Sequence, residues 1–196
     1  MIIRQLKNED IPQAMELKIL CWTEELAGLA ENDLVLNDEV DFWMDWMNTP
    51  DENNDLRVFI GAFEATQLLG VAAGSFVESK DSPNAGIELN GLWVYPEHRG
   101  KGISLKMILH ILDIFMPLGV FRMEVYNPHH APSNAFYEKF GGRIIRQEFQ
   151  MDGILPVDIF EFELDDFRGR IAKTLSRYDG LTNRNARMYH PLHKSV

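Results

Sequence analysis

The chain has 196 residues, of which 45% are hydrophobic and 25% charged, a composition typical of a soluble globular protein. This length suits one domain with a core of its own and room for a short appendage. The first residues lack the long apolar stretch of a signal peptide, and no run approaches the roughly 20 apolar residues that span a bilayer. The single cysteine, Cys21, excludes an internal disulfide and favours a reducing compartment. We expect a cytoplasmic protein without a membrane partner, with Cys21 in the core.

The net charge of −11 is unevenly distributed along the chain. From residue 166 onward there are seven basic and two acidic residues, so this tail carries +5 and residues 1–165 carry −16. An acidic body repels nucleic-acid phosphates and attracts cationic partners. Acidity that only keeps the protein soluble would give the same composition, so a cationic partner is one of two interpretations. A nucleic-acid partner is not expected.

The N-terminal half predicts one strand followed by two helices. Residues 2–6 alternate between apolar and polar side chains, as in a half-buried strand. Asp10 and Pro12 mark the start of a helix whose apolar residues recur at helical spacing. A second helix, with Trp43 on its apolar face, ends before Pro50, and the composition of residues 50–55 predicts a loop.

Three strands are expected in the middle of the chain. They cover residues 57–64, 68–77 and 86–94, and each is rich in apolar and β-branched side chains. A short turn at 65–67 and a polar loop at 78–85 separate them. Connections this short predict an antiparallel meander.

The second half continues with a long amphipathic helix at 102–116 and a strand at 120–126. Because a helix connects this strand to the preceding one, the two strands should pair in parallel by a crossover. A short helix around Tyr137 and two antiparallel strands, at 142–151 and 157–164, complete the pattern.

A helical extension is expected after residue 164. Its apolar stripe consists of Phe167, Ile171, Leu175 and Tyr178, and Gly180 supplies a stop signal. Such a stripe is not stable in water, so it should pack either on its own domain or on a second copy. We favour the second copy, hence a homodimer. Residues 181–196 show no periodicity.

The most informative segment is the loop between the strand at 86–94 and the long helix, which contains Arg99, Gly100, Lys101 and Gly102. A glycine loop that opens a helix presents unpaired backbone N–H groups at the positive end of the helix dipole. These groups suit a pyrophosphate. The loop lacks the third glycine of a dinucleotide-binding fingerprint, and no nucleotide-triphosphate P-loop is present. The alternative is an ordinary strand–turn–helix corner.

The segment VYPEHRGKGIS resembles the acyl-CoA-binding motif of the GNAT superfamily of N-acetyltransferases, Arg/Gln-x-x-Gly-x-Gly/Ala. Arg99 and Gly102 match this motif, whereas Ser104 stands where the family usually has Gly or Ala. Downstream, AFYEKFGG resembles the second signature of the family, a helix with a Tyr four residues before a Gly. The predicted element order, β, αα, βββ, α, β, α, ββ, is also that of GNAT domains.

The resemblance implies an α/β (α+β) fold, with a mixed central sheet flanked by helices over residues 1–164. Residues 165–196 would form a C-terminal amphipathic helix and a basic tail. The implied activity is transfer of an acetyl group from acetyl-CoA, the co-substrate, to a primary amine of a small molecule or peptide by direct attack. The alternative is a non-catalytic acyl-CoA sensor or scaffold, and the hydroxyl of Ser104 near the phosphates is the local argument for it.

The resemblance also implies where the coenzyme binds. In this family the strand before the glycine loop bulges away from its parallel neighbour, the gap admits the pantetheine arm, and a backbone N–H faces the acyl oxygen. Gly91 is consistent with such a bulge, although it can equally be a packing glycine. Asn127 could substitute for the family's coenzyme-binding Asn, whose position is taken here by His130. The implied coenzyme contacts are Trp93, Val94, Arg99, Gly100, Lys101, Gly102, Ile103, Ser104, Asn127 and His130.

Three residues are catalytic candidates. Tyr137 matches the general acid of the family, which protonates the departing thiolate, although a buried Tyr that anchors its helix would look the same. Glu88 and Asn90 lie two apart on one strand and so share a face, where the family often places a base. Glu88 is the expected base, directly or through water, unless it is only a solvated strand carboxylate. Asn90 can only position a water.

The acceptor pocket of the family is built from the first two helices and the loop between them. Here that region combines acidic with aromatic residues, namely Glu24, Glu25, Glu31, Asp33, Asp38, Glu39, Asp41, Asp45, Trp22, Phe42 and Trp46. Such a set suits an ammonium or guanidinium group. A solvated acidic helix face over aromatic core residues would look the same. The six histidines show no metal-ligand spacing, so no metal is expected.

Overall fold

A computed structural model describes residues 1–49, 56–77 and 86–188, with side chains as far as residue 178. The loops predicted at 50–55 and 78–85, and the last eight residues of the tail, lie outside the described residues. The described elements, in chain order, are β1 (Ile2–Gln5), α1 (Ile11–Glu25), α2 (Leu36–Asn48), β2 (Val58–Glu64), β3 (Gln67–Phe76), β4 (Ile87–Val94), α3 (Ile103–Phe115), β5 (Arg122–Pro128), α4 (Asn134–Lys139), β6 (Arg143–Gln150), β7 (Leu155–Glu163) and α5 (Leu164–Met188). This order confirms the one predicted from the sequence.

The strands form one seven-stranded sheet in the order β1-β2-β3-β4-β5-β7-β6. Neighbouring strands are antiparallel except β4 and β5, which pair in parallel because α3 carries the chain back across the sheet. The predicted α/β (α+β) architecture, with a mixed sheet flanked by helices, is therefore confirmed.

The sheet separates two apolar cores. On one face α3 contributes Met107 and Ile111 to the larger core, together with Phe160 of β7. On the other face α1 and α2 pack on the first strands. Cys21 belongs to this second core with 5% of its surface exposed, as the sequence predicted. None of the helices in the described part of the chain is long and apolar enough to cross a membrane.

Helix α5 follows β7 directly and packs on the chain's own domain. Phe167 and Ile171 are buried in the larger core, and Leu175 packs against its edge. Arg168 forms an ion pair with Asp113 of α3 at 2.6 Å. The expectation that this stripe pairs with a second copy is therefore wrong for its buried residues.

The predicted stop at Gly180 is also wrong, because α5 continues to Met188. Glycine ends a helix by adopting the left-handed conformation. Inside a helix it costs only about 1 kcal/mol relative to alanine, which neighbouring residues can offset.

The role of α5 in the core can be tested by deleting one buried side chain. Ile171 is fully buried, so Ile171→Ala should lower the free energy of unfolding by about 2–5 kcal/mol, the usual effect of such a cavity. Leu118→Ala, at a side chain with 56% exposure, is the control and should have a small effect. Urea denaturation followed by circular dichroism measures both. Equal, small losses would show that α5 is not part of the cooperative core.

Candidate active site

A cleft of about 610 Å³ opens where β4 and β5 separate. The two strands pair only through Ile87 with Met123 and Glu88 with Glu124. Beyond Glu88 they diverge, and the gap is lined by residues of α1, β4, β5, α4 and the start of α3. The cleft therefore crosses the sheet at its single parallel junction.

A β-bulge in β4 explains the divergence. Ala73 of β3 faces Gly91, whereas Gly74 faces Leu89, so Asn90 is an extra residue in β4. A bulge bends its strand and increases the local twist. The predicted bulge is confirmed, with Asn90 as the inserted residue. Gly91 is also needed for packing, since a Cβ there would lie 2.3 Å from the ring of Trp93.

The bulge inverts the alternation of side chains along β4. Leu89 points into the larger core, yet Leu92 and Val94 also reach that core, and Trp93 packs in the other one. A regular strand would place residues of the same parity on one face. Because of this inversion, side chains of β4 still pack into both cores although the strand diverges from β5.

The backbone of Val94 faces the cleft. The N–H of Tyr95 donates to Leu69 O of β3 at 3.1 Å. Because successive N–H groups of a strand point to opposite edges, the Val94 N–H points away from β3. Val94 lines the cleft, so its amide is the candidate donor to an acyl oxygen. Trp93, the other candidate, also lines the cleft, but by the same alternation its N–H points toward β3.

The glycine loop has the backbone geometry expected of an anion site. Gly100 and Gly102 both adopt left-handed conformations, with φ of 72° and 76°. Gly100, Ile103 and Ser104 line the cleft. Gly102 is buried under α5 instead, and a Cβ there would lie 2.9 Å from Leu175 Cδ2. Gly102 is thus favoured by its φ, and a larger residue there would also displace the end of the Leu175 side chain.

The basic side chains of the loop are used by the protein itself. Arg99 donates from Nε to Val94 O at 2.9 Å and from Nη2 to Glu24 at 2.5 Å. It thereby ties the loop to the end of β4 and to α1. Lys101 is exposed and donates to Glu97 O at 2.8 Å. Backbone amides, rather than these two side chains, are therefore the loop's principal groups for an anion.

Tyr137 of α4 lines the cleft with only 7% of its surface exposed. Its ring packs on Phe160, with centroids 5.4 Å apart. Burial raises the pKa of the Tyr137 hydroxyl well above its ordinary value, and the charge of Glu25 adds to this. The hydroxyl therefore keeps its proton at neutral pH and can donate it inside the cleft.

Hydrogen bonds hold the start of α4 against the cleft. Ser133 Oγ donates to Glu25 at 2.8 Å, and Asn127 Nδ2 donates to Ser133 Oγ at 2.7 Å. Asn127 lines the cleft as predicted. His130 is not among the described residues that line the cleft, and its ring lies against that of His129, with centroids 3.7 Å apart and the planes tilted by 45°.

Glu88 and Asn90 lie together on the face expected for a base. Asn90 Nδ2 donates to Glu88 Oε1 at 3.0 Å, and Ser75 Oγ donates to Asn90 Oδ1 at 3.1 Å. Both Glu88 and Asn90 line the cleft, just where β4 leaves β5. The amide of Asn90 thus orients one carboxylate oxygen.

The acidic and aromatic residues predicted for the acceptor pocket contribute unequally. Of that set, Trp22 and Glu25 line the cleft. Glu39 instead pairs with Lys18 at 2.5 Å, between two largely buried side chains. Lys18, Tyr126 and Gln150 also line the cleft and were not predicted. Nothing in their local sequence marks them, because tertiary packing brings them there. Among the described residues, no group of three His, Cys, Asp or Glu side chains could hold a metal ion.

Comparison with known proteins decides the family. The model of the Acetyltransferase (GNAT) family matches residues 13–142, which include the glycine loop and Tyr137. The chain belongs to the GNAT family. It is therefore an acetyltransferase by family, and the co-substrate expected of a GNAT enzyme is acetyl-CoA.

Solved GNAT structures share the fold at low sequence identity. The PaiA N-acetyltransferase from Thermoplasma acidophilum, in complex with coenzyme A, is 21% identical with a TM-score of 0.58, covering 83% of this chain and 98% of that one. YncA, a putative acetyltransferase from Salmonella typhimurium with acetyl-CoA, is 18% identical with a TM-score of 0.61, covering 84% and 94%. The aminoglycoside 6'-N-acetyltransferase from Enterococcus faecium is 17% identical with a TM-score of 0.57, covering 83% and 97%. No curated protein sequence matches the chain.

Proposed function

We propose that this GNAT enzyme transfers the acetyl group of acetyl-CoA to a primary amine of a small molecule or peptide, by direct attack in the cleft between β4 and β5. The observation that carries the proposal is the separation of β4 from β5 at Glu88, which opens one cleft between the glycine loop and a carboxylate. The domain would comprise residues 1–164, with residues 165–196 as its extension, in the cytoplasm.

The coenzyme would lie with its pyrophosphate on the amides of Gly100, Ile103 and Ser104 at the start of α3. These amides combine free N–H groups with the positive end of the helix dipole. The pantetheine arm would run through the gap between β4 and β5. The thioester would then reach the amide of Val94.

The transfer itself needs one base, one oxyanion donor and one acid. The acceptor attacks as the neutral amine: its nitrogen lone pair forms a bond to the thioester carbon while the nitrogen loses a proton to Glu88. The oxygen gains negative charge and accepts a hydrogen bond from the Val94 N–H. The carbon–sulfur bond then breaks, and Tyr137 gives its proton to the departing thiolate. The products are the N-acetylated amine and free CoA.

The glycine loop can be tested without disturbing α5. Gly100→Ala should weaken acetyl-CoA binding by roughly 10-fold, since the added methyl group crowds a backbone that phosphates must approach. Isothermal titration calorimetry measures this affinity. Gly119→Ala is the matched control, because both glycines have positive φ and a Cβ at either meets no atom within 4 Å. Gly119 lies beyond the opposite end of α3. Equal affinities of the two variants would contradict the assignment.

The acceptor is proposed to be a cationic amine. Glu25 and Glu88 line the cleft with the aromatic rings of Trp22, Trp93 and Tyr126, a combination that suits an ammonium group. Thiol release from acetyl-CoA, measured with a panel of primary amines of different charge, tests this proposal. Diamines and amino sugars should exceed amino acids, whose carboxylates the cleft would repel. The reverse order would exclude a cationic acceptor.

A further inference from the structure

The proposed base has a second carboxylate beside it. Glu88 and Glu124 are register partners in the parallel pair of β4 and β5, so their side chains leave the same face of the sheet. Glu124 is 4% exposed. Two neighbouring carboxylates disfavour each other's ionised forms, and burial adds to that effect. A cation that offsets the charge of Glu124 would therefore help Glu88 to remain an ionised carboxylate that can accept a proton.

Arg146 of β6 provides that charge. It lies in register with Ile159 of β7, which in turn faces Tyr126 of β5, so the three residues form one row across the sheet. Ile159 is fully buried in that row. From one nitrogen, Nη2, Arg146 donates to Glu124 at 2.9 Å and to the Tyr126 hydroxyl at 2.7 Å.

We propose that Arg146 is a positioning residue which neutralises the buried Glu124 and so keeps Glu88 unprotonated and ready to accept the proton of the acceptor amine. The inference rests on the proposed function, in which Glu88 is that base. Arg146 itself touches neither substrate nor coenzyme in this account.

Other charged groups that the described residues place near this face have partners of their own. Glu148 of β6 accepts a hydrogen bond from Arg146 Nε at 2.8 Å. On β7, Glu161 lies 3.7 Å from Arg122 of β5. From α1, Lys18 and Glu25 reach the same cleft; Lys18 is paired with Glu39 of α2, and Glu25 accepts a hydrogen bond from Ser133.

Tyr126 and Asn90 contribute hydrogen bonds rather than charge. Burial raises the pKa of Tyr126, the charge of Arg146 opposes this, and the nearby carboxylates, beginning with Glu88, add to it. The hydroxyl is therefore neutral at physiological pH. Glu124 is the buried carboxylate that directly adjoins Glu88 across the strand pair, and Arg146 is the guanidinium that neutralises it.

The test is the acidic limb of kcat/KM against pH, which reports the base of the free enzyme once the known ionisation of the amine itself is divided out. Arg146→Met leaves Glu124 uncompensated beside Glu88, so the limb should move up by about one pH unit or more. Glu124→Gln leaves the charge of Arg146 without its buried carboxylate, so the limb should move down. The double variant removes both charges and should return the limb close to that of the wild type.

The opposite signs separate an electrostatic role from a structural one, because a merely destabilised site would lower the rate without moving the limb in opposite directions. If Arg146→Met does not fold, the downward shift in Glu124→Gln and the double variant still decide the matter. Arg143→Met is the control, since Arg143 is an exposed arginine of the same strand that lies in register with Glu161 of β7, and two strands separate it from Glu88. The acidic limb of kcat/KM for Arg143→Met should stay at the wild-type pH.

Failure of the inference can be told from failure of the proposed function. If Glu88→Gln retains the wild-type acidic limb, Glu88 is not the base, and both the proposed mechanism and the role of Arg146 are wrong. If Glu88→Gln loses the limb while Arg146→Met and Glu124→Gln leave it in place, Glu88 is the base and the role of Arg146 is overturned.

Discussion

Replacement of Glu88 by Gln should lower kcat/KM for the amine by roughly 10²- to 10⁴-fold, the range that a general base contributes. Glutamine keeps the shape of the side chain and can still contact Asn90, which donates to Glu88 at 3.0 Å. It cannot accept a proton at neutral pH. Acetyl-CoA binding should be nearly unchanged, because the coenzyme amides lie at the other end of the cleft.

The matched control is Glu64→Gln, which removes a strand carboxylate at the exposed end of β2. Initial rates and calorimetric affinities of both variants give the comparison. In Glu88→Gln, the residual rate should keep rising with pH as more of the amine becomes neutral. Wild-type rates in Glu88→Gln would mean that a water or another group takes the proton.

Replacement of Tyr137 by Phe should lower turnover by roughly 10- to 1000-fold, consistent with the loss of a general acid. The phenyl ring can keep its packing on Phe160 and Phe162, so stability and acetyl-CoA affinity should hardly change. Because burial raises the pKa of Tyr137 above its ordinary value, its deprotonation should not limit the wild-type rate below about pH 10.

Tyr95→Phe is the control for Tyr137→Phe. Tyr95 is also partly buried, and burial likewise raises the pKa of its hydroxyl, but it packs in the core of α1 and α2. Its loss should leave turnover close to that of the wild type. If Tyr137→Phe lost affinity and turnover in equal measure, Tyr137 would be a structural anchor of α4 instead.

The sequence predicts the order of the elements because their signals are local. Periodicity, the glycine loop before α3 and the short connections each depend on a few neighbouring residues. The crossover between β4 and β5 follows from the helix between them. The same local signals failed at Gly180, because a favourable helical context can outweigh the cost of one glycine.

The residues that line the candidate site were predictable from the sequence only where a single strand or helix carries them. Glu88, Asn90 and Tyr137 each lie on a recognisable strand or helix. Arg146 and Glu124, by contrast, are 22 residues apart and meet only because β7 lies between their strands. Their pairing depends on strand order and register, which no local pattern encodes.

Gly102 matches the family motif, but the motif gives only part of the reason that a glycine suits this position. Its left-handed φ fits the loop, but its close neighbour is Leu175, more than 70 residues away on α5. The sequence signal for the glycine was therefore sound, while the contact behind it came from a helix outside the motif. Gly100, whose surroundings are open, is the better probe of the coenzyme.

Direct transfer of the acetyl group in one ternary complex is the central claim, and initial-rate kinetics with both substrates varied test it most directly. The amount of thiol released should equal the amount of N-acetylated amine formed. The lines of the double-reciprocal plots should intersect, because the amine attacks while acetyl-CoA is bound. Parallel lines would instead indicate an acetylated enzyme intermediate. Tight acetyl-CoA binding without any amine-dependent thiol release would contradict the account and identify a non-catalytic acyl-CoA-binding protein.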